Sequence, residues 1–257
     1  MLKRCLMLVV LIFLVLGFAS PALSGAGNIR AMIDRADALY PERANLDKAR
    51  AAIKIYEEAL AGDPDNMEIL WKLSRLYYWL GDHSPKKEKA AVFEKGIEYA
   101  GKGIAVDDNC VPCHYWLGIN LSVYGEAKGI IKSLNLLDPI KAEMNRVIEL
   151  DPAYDQGGAY RILGRVAFKL PWFAGGSKKR SVEYLKKSQE ISPDNIMTHV
   201  FLAETYLGMK KKELARKELE AVLKMPDPKD PGALEDKATA RELYRIHFQQ
   251  SKPLQNR

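Results

Sequence analysis

Cysteine is scarce: three in 257 residues. That excludes a small fold stapled by disulfides. Histidine is nearly as rare, with four residues. His83, His199 and His247 are scattered, and each reads as a surface or packing residue, so no metal site is expected. No stretch alternates apolar and polar residues for a useful length, which argues against sheet. The chain also lacks a P-loop, a dinucleotide fingerprint, a serine elbow and a zinc-protease motif. Carboxylates are plentiful but fall on helix exteriors, their usual solvated place. With these absences, no enzyme activity is expected. The net charge is +6, and bases interleave with acids. No single stretch carries the dense Lys/Arg patch that phosphate binding wants, so nucleic acid is not an expected partner.

What is present is a repeat. The stretch from Asp151 to Asn195 reads as a helical hairpin framed by Asp151-Pro152 and Ser192-Pro193-Asp194-Asn195. Within it, Tyr160, Leu163, Gly164 and Ala167 fall at i, i+3, i+4 and i+7, one apolar stripe of a helix. Leucine followed by a small residue recurs at Leu73-Ser74, Leu117-Gly118, Leu163-Gly164 and Leu202-Ala203, at intervals of 44, 46 and 39 residues. Turn signals recur upstream, at Asp63-Pro64-Asp65-Asn66 and Asp107-Asp108-Asn109 as well as at the two frames above. The last unit, Ile196 to Pro226, approaches the roughly 34-residue length of a tetratricopeptide (TPR) repeat. A small residue lets neighbouring helices approach, Asp, Ser and Asn cap the next helix, and proline stops a helix it cannot continue. The expected fold is therefore all-α: a tetratricopeptide-like right-handed superhelix of about five helical hairpins plus a C-terminal capping helix.

In chain order, Lys3 and Arg4 precede an apolar run from Cys5 to Phe18, and Ala22-Leu23-Ser24 supplies a small-x-small cleavage site. Residues 1–24 read as a signal peptide, too short in its apolar core for the about 20 residues of a spanning helix. The expected location is periplasmic. Residues 25–232 read as the helical-repeat domain, and 233–257 as a capping helix and loose tail. Hairpins are expected at Gly27–Leu60, Asn66–Val106, Cys113–Leu150, with a break around Leu137-Asp138-Pro139, Asp151–Asn195 and Ile196–Pro226.

Three places could carry function. Cys110-Val111-Pro112-Cys113-His114 is C-x-x-C-H, the attachment motif of c-type haem, with His114 as the iron ligand. Its plainer reading is a helix-start turn with a local disulfide, because His114 occupies the packing register of Leu70, Tyr160 and His199. Next comes the concave wall. Counting from the Leu-small pairs, the groove residues are Trp71, Arg75 and Tyr78; Tyr115, Ile119 and Ser122; Arg161, Arg165 and Phe168; Val200, Glu204 and Leu207. Arg75, Arg161 and Arg165 would meet carboxylates, and the aromatic rings would supply apolar area. The last is Leu170-Pro171-Trp172-Phe173-Ala174-Gly175-Gly176-Ser177, where Trp172 and Phe173 either plug the array or stand out as a knob for a partner.

The HYWLGINLSVYGEAKG segment, the 151–195 hairpin and the exported start together resemble the T component of TRAP transporters (tripartite ATP-independent periplasmic transporters). The GGAYRILGR and GGSKK pieces are the most specific. The resemblance implies a periplasmic TPR scaffold that associates with the substrate-binding protein of such a transporter, and an oligomer with a ligand-accessible pore. The expected function is non-enzymatic binding of a protein partner, with an amphipathic anionic ligand in the groove as a second cargo. The alternatives are a haem or dithiol redox protein built on Cys110, Cys113 and His114, and an assembly scaffold for envelope polymers.

Overall fold

A computed structural model describes residues 21–249. Residues 1–20 of the expected leader and the expected tail from Ser251 lie outside the described residues. Twelve α-helices follow one another: α1 (Pro21–Leu39), α2 (Leu46–Gly62), α3 (Met67–Asp82), α4 (Lys89–Val106), α5 (Val111–Lys128), α6 (Ile130–Asn135), α7 (Leu137–Leu150), α8 (Tyr154–Lys169), α9 (Lys178–Ile191), α10 (Ile196–Gly208), α11 (Lys212–Lys224) and α12 (Pro231–Tyr244). Among the described residues there is no strand, and no helix long and apolar enough to cross a membrane. The pairs α1/α2, α3/α4, α5/α7, α8/α9 and α10/α11 are the five hairpins, and α12 packs on α10 and α11.

The caps follow from the turn residues. Asn66 accepts from the Ile69 N–H at 3.1 Å and Asn195 from the Thr198 N–H at 2.9 Å, each satisfying a free donor of the next helix. Asp230 caps α12 in the same way, through the Ala233 N–H at 3.1 Å. The expected break in the third hairpin is displaced. Helix α5 stops at Gly129, whose φ of 99° suits only glycine, and α6 bridges to α7. Asp138-Pro139 falls in the first turn of α7, where proline's missing N–H has no helical partner to lose.

The small residues of the repeat do what their size allows. A Cβ on Gly118 would collide with the Met144 side chain, and one on Gly164 would meet Leu185 at 2.7 Å. Leu73, Met144, Leu185 and Leu202 are all fully buried. Each such side chain contributes on the order of 1.5–3 kcal/mol of transfer free energy. Burial falls in three clusters along the stack: around Tyr56 and Leu76 at the start, Met144 and Val147 in the middle, and Leu219 and Val222 at the end.

Contacts also run between the distant ends. The Arg43 guanidinium, only 4% exposed, donates to both carboxylate oxygens of Asp230 at 2.7 and 2.8 Å. His83 Nε2 lies 3.0 Å from Glu235 Oε1. The first two hairpins and the last helix therefore touch across the winding of the superhelix.

Candidate functional site

The first helix of each hairpin lines the inner wall. Its N-terminal half is built on Arg75. The guanidinium stacks on Tyr40, 3.6 Å from the ring centroid, and lies 4.9 Å from the Trp71 ring. Such contacts stabilise a cation by about 0.5–2 kcal/mol. Arg75 belongs to no ion pair among the described residues, and its buried Nε has no hydrogen-bond partner. Tyr78, Trp116, Tyr115 and Tyr154 continue the wall as a chain of rings with centroids 5.2–5.7 Å apart.

The C-terminal half is different. Helix α8 opens with three consecutive residues in the left-handed region: Asp155 (φ 48°), Gln156 (φ 60°) and Gly157 (φ 74°). The two non-glycine residues each cost about 1–3 kcal/mol and persist only where their surroundings hold them. They are held. Asp155 Oδ2 accepts from the Tyr115 hydroxyl and from the Arg161 guanidinium, both at 2.5 Å. Gln156 Oε1 accepts from Asn195 Nδ2 at 2.9 Å and from Ser192 Oγ at 3.2 Å. A Cβ on Gly158 would lie 2.5 Å from the Tyr115 hydroxyl, so only glycine admits that ring.

Several expected groove residues are therefore structural. Arg161 is 4% exposed and committed to Asp155. Tyr115 is 2% exposed, and burial pushes its phenol well up. Ile119 is buried in the middle core, and Val200 in the last. Arg165 is paired with Glu204 at 2.5 Å and sits 4.4 Å from the Phe201 ring, with Phe168 at 5.5 Å. Phe168 also packs beside Gly208. Ser122 returns its hydroxyl to the Gly118 carbonyl at 2.8 Å. Arg75, Trp71 and Tyr78 keep half-buried side chains that pair with no carboxylate among the described residues. Trp172 and Phe173 do not plug the array; they are 84% and 69% exposed.

Two wall residues have no signal in the sequence. Tyr40 comes from the end of the first helix, and Asp236 from α12. Burial pushes the Asp236 carboxyl up to about 7; Arg161 pulls the other way, while Glu235 and Asp230 add to the rise. Asp236 also bears on Tyr78 across the wall. A separate cleft of about 630 Å³ opens between α2 and α4, lined by Leu60, Pro64, Tyr99 and Val106. It shares none of the inner-wall side chains.

Cys110 and Cys113 form a disulfide, 8% and 0% exposed. A Cβ on Gly103 would meet the Cys113 sulfur at 2.5 Å, so α4 seals it. His114 is 4% exposed, with Nδ1 2.6 Å from Glu143 Oε2 and Nε2 2.8 Å from the Asp108 carbonyl. These residues do not fit haem attachment, because both sulfurs and both ring nitrogens are engaged and no open face remains. His199 repeats the pattern, at 2.7 Å from both Glu218 and the Pro193 carbonyl. The shared histidine register therefore ties the connecting turn before a hairpin to that hairpin's second helix.

The GGAYRILGR and GGSKK pieces now have local explanations. Gly157 and Gly158 permit the left-handed turn and the Tyr115 contact, and Arg161 closes on Asp155. Gly175 has φ 84°, a Cβ on Gly176 would collide with the Leu170 carbonyl, and Ser177 caps α9 through the Arg180 N–H. The glycines and the serine of both pieces specify backbone geometry.

Comparison with known proteins agrees with this architecture. The thermophilic TPR protein TTC0263 of Thermus thermophilus matches with a TM-score of 0.62 at 19% identity, over 83% of this chain and 99% of that one. PilW, a type IV pilus biogenesis factor, matches with a TM-score of 0.56 at 19% identity, over 87% and 96%. The all-α TPR-like superhelix is thereby established. In sequence, regulator of microtubule dynamics protein 3 of Mus musculus and that of Rattus norvegicus are each 22% identical over 240 residues, covering 87% of this chain and 49% of theirs. The chain spans about half the length of the curated relatives it matches. The family profile described as regulator of microtubule dynamics protein 1-3 matches residues 32–247, and the chain belongs to that family.

Proposed function

We propose that this chain is a non-enzymatic scaffold whose inner wall grips an acidic, extended segment of a protein partner. One observation carries the reading: Arg75 is held between aromatic rings with no carboxylate of its own. A cation fixed in place and left unpaired binds an incoming carboxylate without first losing an internal partner. Tyr40 and Trp71 flank it, and Tyr78 and Tyr154 continue the ring-lined wall. The TPR-like fold supports a binding role in general, and no catalytic constellation accompanies the wall among the described residues.

The finer steps follow from the sequence. The leader pattern of residues 1–24 supports export to the periplasm. The resemblance to TRAP T components supports the substrate-binding protein of such a transporter as the partner. The family name supports a different one, since its members are called regulators of microtubule dynamics. Arg75 serves an acidic segment from either source, and an amphipathic anion would use the same cation and rings.

The test is binding of fluorescent acidic peptides, with and without aromatic residues, followed by anisotropy. Arg75→Gln should weaken acidic-peptide binding at least tenfold, the size of one charge-assisted contact of about 1.5–3 kcal/mol, while circular dichroism stays unchanged. Equal affinity of the wild type and Arg75→Gln, or equal affinity for acidic and basic peptides, would sink the reading.

A further inference from the structure

The turns inside the hairpins collect something no linear stretch shows. In an array of paired antiparallel helices, the within-hairpin turns of neighbouring hairpins lie on one edge and the between-hairpin turns on the other; the winding brings Asp230 back to Arg43 in the first turn, so the edge that matters is that of the third to fifth hairpins. Contacts bear this out. The Lys178 ammonium of the α8/α9 turn donates to the Gly208 carbonyl of the α10/α11 turn at 2.6 Å. On the opposite edge, Asn195 and Ser192 reach Gln156 of the preceding between-hairpin turn.

The two edges differ in charge. The between-hairpin turns carry Asp63, Asp65, Asp107, Asp108, Asp151 and Asp194. The first two within-hairpin turns are mixed, with Glu42, Asp82 and Glu88, and Glu126 and Asp138 flank the third; the third to fifth carry the cations Lys128 and Lys132, Lys169, Lys179 and Arg180, and Lys210 and Lys211, all exposed. No carboxylate among the described residues is ion-paired with any of these cations.

The same basic edge carries the most exposed large apolar side chains of the described residues. Trp172 is 84% exposed and Phe173 69%, edge to face with centroids 6.0 Å apart. Ile131 and Ile130 on α6 are 76% and 59% exposed. The aromatic pair is not on a loose loop. Pro171 and the Gly175-Gly176 turn fix it, and the Gly176 N–H bonds the Pro171 carbonyl at 3.0 Å.

We infer that this basic edge docks on an anionic lipid bilayer, with Trp172 and Phe173, and Ile130 and Ile131, entering the headgroup region. Isolated apolar tips ringed by unpaired cations match that interface: the tips leave water while the ammonium and guanidinium groups stay with lipid phosphates. The tips sit on two separate turns, which a fluid surface accommodates without the continuous shape match a protein partner needs. The acidic edge then faces away from the membrane, so charge fixes one orientation. This surface is separate from the Arg75 wall.

The test uses the full chain and flotation with phosphatidylcholine vesicles, with and without phosphatidylserine. Every variant carries the same N-terminal segment, so that segment cannot create a difference between variants. Wild type should float more with phosphatidylserine present, and added salt should reduce the gain. Trp172→Ala with Phe173→Ala should weaken binding at least tenfold, and Lys179→Glu with Arg180→Glu should cost about fivefold or more per residue. Arg75→Gln should change nothing, which separates this surface from the groove. Brominated lipid should quench wild-type fluorescence more than that of Trp172→Phe. Binding indifferent to phosphatidylserine and to both double variants, with Trp172 unquenched, overturns the inference. So does an acidic protein whose binding these variants abolish while vesicle binding stays intact.

Discussion

Arg75 and Arg165 occupy the same register, two residues past the leucine of their repeats, yet they meet opposite fates. The equivalent position in the next repeat decides. For Arg165 it is Glu204, and the two pair at 2.5 Å. For Arg75 it is Ile119, which is buried and offers no charge. Arg75 stacks on Tyr40 and Trp71 instead. The C-terminal half of the inner wall thus neutralises its arginines internally, and the N-terminal half leaves one free. A repeat can keep one backbone and still separate a binding stretch from a self-satisfied one by changing a single register position.

The largest way to break this contrast is at Arg161. Arg161→Met takes the cation from Asp155 on its left-handed turn and should cost about 1.5–3 kcal/mol of stability, since Asp155 is 44% exposed and water replaces part of the lost contact. Arg75→Met should cost under about 1 kcal/mol, because no carboxylate is orphaned. Thermal unfolding of both decides; equal losses would erase the distinction. Gly158→Ala comes next. It pushes a methyl into the Tyr115 hydroxyl and should cost about 1–3 kcal/mol, read as a lowered denaturant midpoint.

Asp236→Asn sharpens the comparison through pH. The Asp236 carboxyl is raised from 3.8 to about 7, so the folded state holds its proton more tightly than the unfolded chain does. Its ionisation therefore opposes folding progressively from about pH 4 and fully above about pH 7. The asparagine variant should gain on the order of 1–2 kcal/mol at pH 8 and nothing below pH 4. A gain independent of pH would contradict the raised carboxyl. The smallest effect is Glu204→Gln, which should cost under about 1 kcal/mol. It gives Arg165 the freedom Arg75 already has, so acidic-peptide affinity should rise.

The hairpins are legible in the sequence because their signals are local. Asn66 and Asn195 announce helix starts, and Gly118 and Gly164 mark close packing. Leu137-Asp138-Pro139 misleads in the third hairpin because proline at a helix start resembles proline after a helix end. Counting along the helix places Arg161 in the groove because it assumes regular dihedrals, and three left-handed residues return Asp155 to it. Trp172 and Phe173 admit two readings, since exposure depends on neighbours the local pattern does not name. The basic edge is invisible for a related reason: Lys132, Lys169 and Lys210 are far apart in sequence, and only the stacking of turns gathers them.

The contact between Arg43 and Asp230 spans 187 residues of chain. An open solenoid frays from its tips, because each unit leans only on the next. Here the first and final units brace each other, so a cut that frees α12 is felt at the beginning of the molecule. Fraying at either tip therefore loses this brace as well as the tip's own packing.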